Sequence, residues 1–168
     1  MNDRAAWEKA LTAARCIHTG LKPPVSAEFD ILVDAIIEIK KQLVELAAAA
    51  GSLQICRECQ GECCRYGKYH VSILDILAYL RCGAEPVIPN FSTHPECPYA
   101  NSAGCTMPPG FRPMTCVVFN CQLVEVKFTA AERTTFQALE QKLRQTISTV
   151  EQLTALRLSR PLLLSITD

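Results

Sequence analysis

The sequence predicts a mainly α fold, a long-helix bundle or hairpin that carries an irregular cysteine-rich metal-binding insert. Three observations predict it. Long stretches toward both ends repeat apolar residues at three- and four-residue spacing. Nine of the ten cysteines, seven of the ten prolines and five of the seven glycines fall within residues 56–121, a composition that forbids long regular elements there. Residues 122–168 hold no cysteine, no glycine and one proline, Pro161. The chain therefore reads as a single domain, 1–168, with a helical N-terminal part (1–55), a cysteine-cluster metal-binding segment (56–121) and a C-terminal long helix within 122–168.

A first helix is expected over about residues 4–18, with Trp7, Leu11, Ala14 and His18 on one face. Gly20 and Pro23-Pro24 end it. Ser26 is the expected N-cap of a second helix that runs to about Ala50, with Gly51 beyond its end. In that helix Phe29, Leu32, Ile36, Ile39, Leu43, Leu46 and Ala50 form an unbroken row, widened by Val33, Ile37, Val44 and Ala47. A stripe this broad asks for more than one partner. The first helix, with Trp7, Leu11 and Ile17 as its large apolar residues, supplies little cover. Two expectations follow: a homodimer through the long helices, or a cysteine-rich segment folded back over the row.

Ser72 and Asp75 are placed to cap a short helix through Ile76, Leu77 and Leu80, stopped near Gly83. Residues 84–115 read as loop. Val124, Val126 and Phe128 alternate with Glu125 and Lys127, the pattern of a short strand. Thr129 with Glu132 is a capping-box signature that opens a third long helix bearing Phe136, Leu139, Leu143, Ile147, Val150 and Leu153.

At 168 residues, 49% hydrophobic and 20% charged, the chain has the composition of a globular protein. A chain of this length buries roughly 70% of its unfolded surface, so it needs neither metal nor disulfide merely to hold a core. Seventeen basic and seventeen acidic residues give no net charge, and no nucleic-acid or membrane footprint is expected. Arg4, Glu8, Lys9 and Arg15 interrupt any signal-peptide core, and no apolar run approaches the roughly 18 residues of a membrane span. A cytoplasmic location is the resulting expectation. Thiols are kept reduced there, which favours metal ligation over a disulfide framework.

The cysteines carry the chemistry. Cys56-Arg-Glu-Cys59-Gln-Gly-Glu-Cys63-Cys64 places four thiols within nine residues, and four more follow at Cys97, Cys105, Cys116 and Cys121. The spacing of Cys56 and Cys59 lets both thiolates reach one ion from a tight turn, and Gly61 supplies the backbone freedom that such a turn needs. Four thiolates complete one tetrahedral zinc site, so eight complete two. In an extended backbone the adjacent Cys63 and Cys64 point apart, toward different metals. A tetrathiolate zinc centre is formally −2, a charge that Arg57, Arg65, Lys68 and Arg112 are placed to offset. Iron, as an iron–sulfur cluster, is the rival to zinc, although neither common ferredoxin spacing is reproduced. A thioredoxin-like redox pair is disfavoured, because no strand–helix–strand unit frames Cys56 and Cys59.

The order CxxC-x-G-x-CC, Cys97-Pro98, Gly104-Cys105, Arg112-Pro113-Met114-Thr115-Cys116 and Cys121 resembles the YkgJ-like cysteine-cluster proteins, described as a zinc- or iron-chelating domain with eight shared cysteines. The resemblance covers about residues 56–121 and implies Cys56, Cys59, Cys63, Cys64, Cys97, Cys105, Cys116 and Cys121 as metal ligands. One departure is Val117, where the family often has a basic residue. Similar clusters in flagellin lysine methylases keep an enzyme with an auxiliary metal centre among the readings. No Ser/His/Asp arrangement, phosphate loop or dinucleotide fingerprint is visible in this chain, and closed tetrathiolate sites leave no position for substrate water. The expected role is a zinc-binding protein whose metal is largely structural, compatible with an unknown protein partner. Electron transfer or redox sensing by an iron–sulfur protein is the alternative.

The remaining candidates read as ordinary structure. Cys16 and Cys82 are expected in the core, His70 and His94 outside the ligand sphere, and His18 on a helix face. Tyr66, Tyr69 and Tyr99 are expected to pack around the cluster.

Overall fold

In the computed structural model, residues 2–59, 61–93 and 97–165 are described, and they are mainly helical. Helix α1, Asp3–Gly20, is capped by the Asn2 side chain, which accepts the Ala5 N–H at 2.8 Å. Trp7, Leu11 and Ala14 are buried at the expected spacing, with Ala6 and Ala10 beside them. Helix α2, Val25–Ala49, begins two residues earlier than expected and has Pro24, not Ser26, at its N-cap. The reason is visible in the turn before it. Carbonyls of Lys22 and Pro24 already accept the N–H groups of Ser26, Ala27 and Glu28, so no side-chain cap is required. Gly51 follows the helix in the left-handed conformation, at φ 85°, and turns the chain into α3, Ser52–Glu58, a helix that the sequence pattern does not reveal.

Helix α4, Ile73–Arg81, forms as expected on a complete capping box. Ser72 Oγ accepts the Asp75 N–H while the Asp75 carboxylate accepts the Ser72 N–H at 2.8 Å. Helix α4 is buried on nearly every side, through Leu74, Ile76, Leu77, Ala78 and Tyr79. It packs on α1, on α2 and on the short 3-10 turn Pro109–Phe111, where the Phe111 ring stacks on Tyr79 at 4.1 Å. Arg81 at its end pairs with Asp30 and Asp34, one turn apart on α2.

The described residues between 84 and 113 are irregular, as the prolines require, apart from 3-10 turns and a two-residue hairpin that pairs β1, Ala100–Asn101, with β2, Gly104–Cys105. Two short helices follow: α5, Met114–Val118, and α6, Gln122–Glu125. The strand expected at 124–128 is therefore not formed. Apolar alternation alone makes no strand. Its N–H groups need a neighbouring strand, and here the Cys121 carbonyl accepts those of Val124 and Glu125. Val124 is buried while Val126 faces solvent.

Helix α7, Ala130–Thr154, opens on the expected Thr129–Glu132 capping box and buries Phe136, Leu143, Ile147 and Val150. Its main partner is α2. The α2 row is covered within the chain: α7 takes one side, and the turn at 109–111 with α4 and α5 takes the other. A Cβ on Gly110 would collide with Ile37, so the two backbones approach as closely as glycine allows. Phe29, Val33, Ile36, Ile37, Ile39, Leu43 and Ala47 are all buried and Leu32, Val44, Leu46 and Ala50 partly so, so the width of the row does not by itself call for a second copy. Helix α1 lies not along α2 but against α4 and the closing turn Leu162–Leu164. There the tail docks on the start of α4, through Leu74 N–H to the Leu158 carbonyl and Leu162 N–H to the Val71 carbonyl. No helix among the described residues is long and apolar enough to cross a membrane.

One ion pair is fully enclosed. Lys40, in the middle of α2, donates to Asp75 Oδ1, and both side chains are essentially inaccessible. Removing one partner strands a charge in the core, whereas an exposed pair costs little to break. Lys40→Ala should therefore lower unfolding free energy by about 3–5 kcal/mol. Arg144→Ala, which breaks the exposed Arg144–Glu140 pair, should cost below about 0.5 kcal/mol. Urea denaturation of both variants checks the contrast.

Candidate functional site

The eight candidate cysteines arrive from both sides of α4. Cys56 lies in the last turn of α3 and Cys59 is its C-cap, so the pair closes a helix rather than a free knuckle. Gly61, at φ 70°, then reverses the chain, with its N–H on the Cys56 carbonyl. Cys63 and Cys64 follow in a 3-10 turn, Glu62–Cys64, not in extended backbone as expected. They still diverge, because side chains adjacent in a 3-10 helix leave its axis about 120° apart. On the far side, Cys97 precedes the hairpin, Cys105 ends β2, Cys116 lies in α5 and Cys121 is the N-cap of α6.

The two arms are held differently. Tyr99, Met107 and Val117 are buried in the main core, and the Tyr99 carbonyl accepts both the N–H and the hydroxyl of Thr106 at 2.8 Å. Arg112 Nε adds a bond to the Met107 carbonyl. The 97–121 arm thus has an apolar anchorage of its own. Among the described residues of 52–66 the apolar anchorage is slight, a half-buried Ile55 against the core. No residue of α3 or of the 62–64 turn is buried, and the 3-10 turn Gly67–Tyr69 buries only its glycine. That glycine matters: a Cβ there would collide with the Cys97 sulfur.

All ten cysteines are free thiols. Four of the candidate eight, Cys56, Cys64, Cys97 and Cys116, have pKa values raised first by burial and then by neighbouring thiols. Burial pushes the Cys56 thiol up, and Cys63, Cys59 and Cys121 push it further, while the Arg112 guanidinium opposes them. Cys64 is pushed up to about 12, first by burial and then by Cys63, Cys97 and Cys56. Cys97 is raised by burial and by Cys105. Cys116 keeps an outward face, yet protein crowds it on the other sides. Burial raises it most, followed by Cys105, Cys97 and Cys64. His70 touches the Cys116 sulfur through Nδ1 at 3.3 Å, and burial lowers its pKa.

The gathering stops short of a formed metal site. Among the described residues, no three Cys, His, Asp or Glu side chains converge as a group that would hold an ion. The donor chemistry nonetheless suits zinc or iron, which take thiolate and imidazole, and is wrong for magnesium or calcium, which take oxygen. Of the proposed counter-charges, Arg112 acts on Cys56, whereas Lys68 is occupied by Asp3 at 2.9 Å and lies over the Tyr69 ring.

Other sequence-based expectations fare unevenly. Cys16 and Cys82 are exposed, not in the core: Cys16 lies off the Trp7–Leu11–Ala14 face, and Cys82 is the C-cap of α4. Tyr99 packs as expected, but Tyr66 is 78% exposed and covers nothing. His18 is half-buried on its helix, and His94 lies outside the described residues. His70 is the residue that spacing undervalues. Forty-six positions separate it from Cys116, and only the fold brings them together.

Compared with family models, curated proteins and solved structures, the chain finds no match. The site must be argued from its own residues.

A raised thiol pKa leaves little thiolate at neutral pH, and thiolate is the reactive form. At pH 8 a thiol with a pKa near 12 is about one part in ten thousand ionised, against roughly a quarter for an ordinary cysteine. In metal-free protein, alkylation mapped by mass spectrometry should therefore reach Cys64 and Cys116 last, and raising the pH should speed both.

Proposed function

We propose that the chain is a zinc-binding cysteine-cluster protein whose metal is chiefly structural. The observation that supports this reading is that free thiols from separate segments lie near enough for Cys56, Cys64, Cys97 and Cys116 to be disfavoured from ionising by burial and by neighbouring cysteines. Such an assembly is electrostatically unfavourable as thiolates alone, and a divalent cation reverses the sign of the problem. The eight-cysteine pattern that resembles a chelating family points the same way. Cysteine zinc sites with four ligands are closed to substrate, which favours a structural role over hydrolysis.

Elemental analysis of anaerobically purified full-length protein tests the reading. Zinc with a colourless solution supports it. A brown solution with visible charge-transfer absorption indicates iron–sulfur chemistry instead, and metal-free protein under zinc-replete conditions refutes metal binding. Cys59→Ser should lower bound metal, since hydroxyl is a poor substitute for thiolate, while Cys16→Ser should leave it intact.

The unequal anchorage of the two arms sets the result of chelation. Metal bonds replace buried contacts most where contacts are fewest. Strong chelation should raise amide exchange across residues 52–66 by at least tenfold, a change of about 1.4 kcal/mol in local opening. Protection at Tyr99, Met107 and Val117 should persist with that of α2 and α7. Hydrogen exchange read by mass spectrometry checks this.

A further inference from the structure

We infer that Gly67 is a positioning residue of the candidate metal centre: it is where the segment carrying Cys56, Cys59, Cys63 and Cys64 is seated against Cys97 of the other arm, and a side chain there would unseat it. The consequence for metal rests on the reading proposed above, whereas the seating rests on packing alone.

The glycines of this chain answer different needs. Gly51, Gly61, Gly83 and Gly104 have positive φ, and a Cβ on any of them would meet no atom closer than 3.7 Å. Those four supply a backbone conformation. Gly67 is the reverse case. Its φ lies outside the left-handed region, so its backbone suits any residue, yet an added Cβ would stand 2.9 Å from the Cys97 Cβ and nearer still to the sulfur. Rotation of the Cys97 side chain carries the sulfur away but leaves its Cβ where the backbone puts it. Relief therefore requires a backbone to move.

Both backbones are held. Beside Gly67, Lys68 bonds Asp3 of α1 at 2.9 Å, the His70 N–H bonds the Gly67 carbonyl at 3.1 Å, and the carbonyl of buried Val71 accepts the Leu162 N–H at 2.7 Å. Beside Cys97, Pro98 and Tyr99 are buried, and the Cys97 and Pro98 carbonyls accept the N–H groups of Ala100 and Asn90 at 3.0 and 2.8 Å. Among the described residues of 51–70, Gly67 alone is buried. Helix α3 also reaches β2 and α6, but it buries no residue in doing so. Cys64 lies three residues before Gly67, and His70, which meets Cys116, lies three after it. A side chain at 67 thus separates the arms and leaves the seated form as a fraction of the ensemble. Apparent metal affinity falls by that fraction.

Full-length Gly67→Ala tests this, with Gly20→Ala as the control, since a Cβ on Gly20 meets nothing within 4 Å. Zinc affinity, read by competition with a chromophoric chelator, should fall at least about tenfold in Gly67→Ala and stay within about twofold in Gly20→Ala. In metal-free protein, Gly67→Ala should speed exchange of the His70 amide about tenfold. In a Cys97→Gly background, which lacks both colliding atoms, the same substitution should change that exchange by less than about twofold. Unchanged zinc affinity, unchanged His70 exchange, or a defect as large in the Cys97→Gly background, loss of folding included, would overturn the inference. Those results leave metal binding itself standing. Wild-type protein that takes up no zinc would refute the parent reading and with it any role of Gly67 there, while the exchange comparison still decides the seating.

Discussion

The Asp75 carboxylate is committed inside the protein to three donors at once: the Ser72 N–H, the Ser72 hydroxyl and the Lys40 ammonium. Because the first two start α4 and the third comes from the middle of α2, one buried anion fixes where the short helix begins and which long helix it lies against. Much else is referenced to that junction. Helix α1 and the C-terminal turn pack around α4, and the chain just before Ser72 carries His70 and Val71 into place. A buried ion pair is a poor source of stability beside a hydrophobic pair of equal volume, but it tolerates few alternative arrangements. Here it fixes the register between the helical scaffold and the segment that bears the cysteines.

Local chemistry made much of this architecture legible in the sequence. Both capping boxes, at Ser72–Asp75 and Thr129–Glu132, are four-residue devices whose partners lie within one turn, and both are realised. The apolar rows of α2 and α7 were equally readable, because burial follows helical period. Failures arose where a distant partner decides. Val124, Val126 and Phe128 alternate as a strand would, yet no strand lies beside them. The width of the α2 row was evident, but what covers it depends on Gly110 and its turn, seventy residues away.

Of the candidate site, the sequence shows the thiols but not how they are arranged. Eight cysteines at close spacing suggest metal ligation without reference to the fold, the reading proposed above. Their grouping depends on a helix at 52–58 and a 3-10 turn at 62–64 that no periodicity reveals, since neither buries a residue. The His70–Cys116 contact crosses the whole insert and leaves no trace in spacing. Surface exposure of Cys16 and Cys82 makes a related point. Cysteine as a type is often buried, but a particular cysteine follows its position on the helix.

The unequal seating of the two arms has a bearing on how such a centre assembles. Tyr99, Met107 and Val117 fasten one arm to the core before any cation is present, so its thiols are held at high mutual concentration. The other arm, with no fully buried side chain among its described residues between Ser52 and Tyr66, is held to that scaffold mainly through a half-buried Ile55. An incoming ion would meet a half-prepared nest first and recruit the second arm afterwards, as a clasp closes on a hook. Release would run in reverse order. On the proposed metal-binding reading, the looser arm would govern how readily an ion is exchanged with other chelators, and the seated arm how firmly it is gripped.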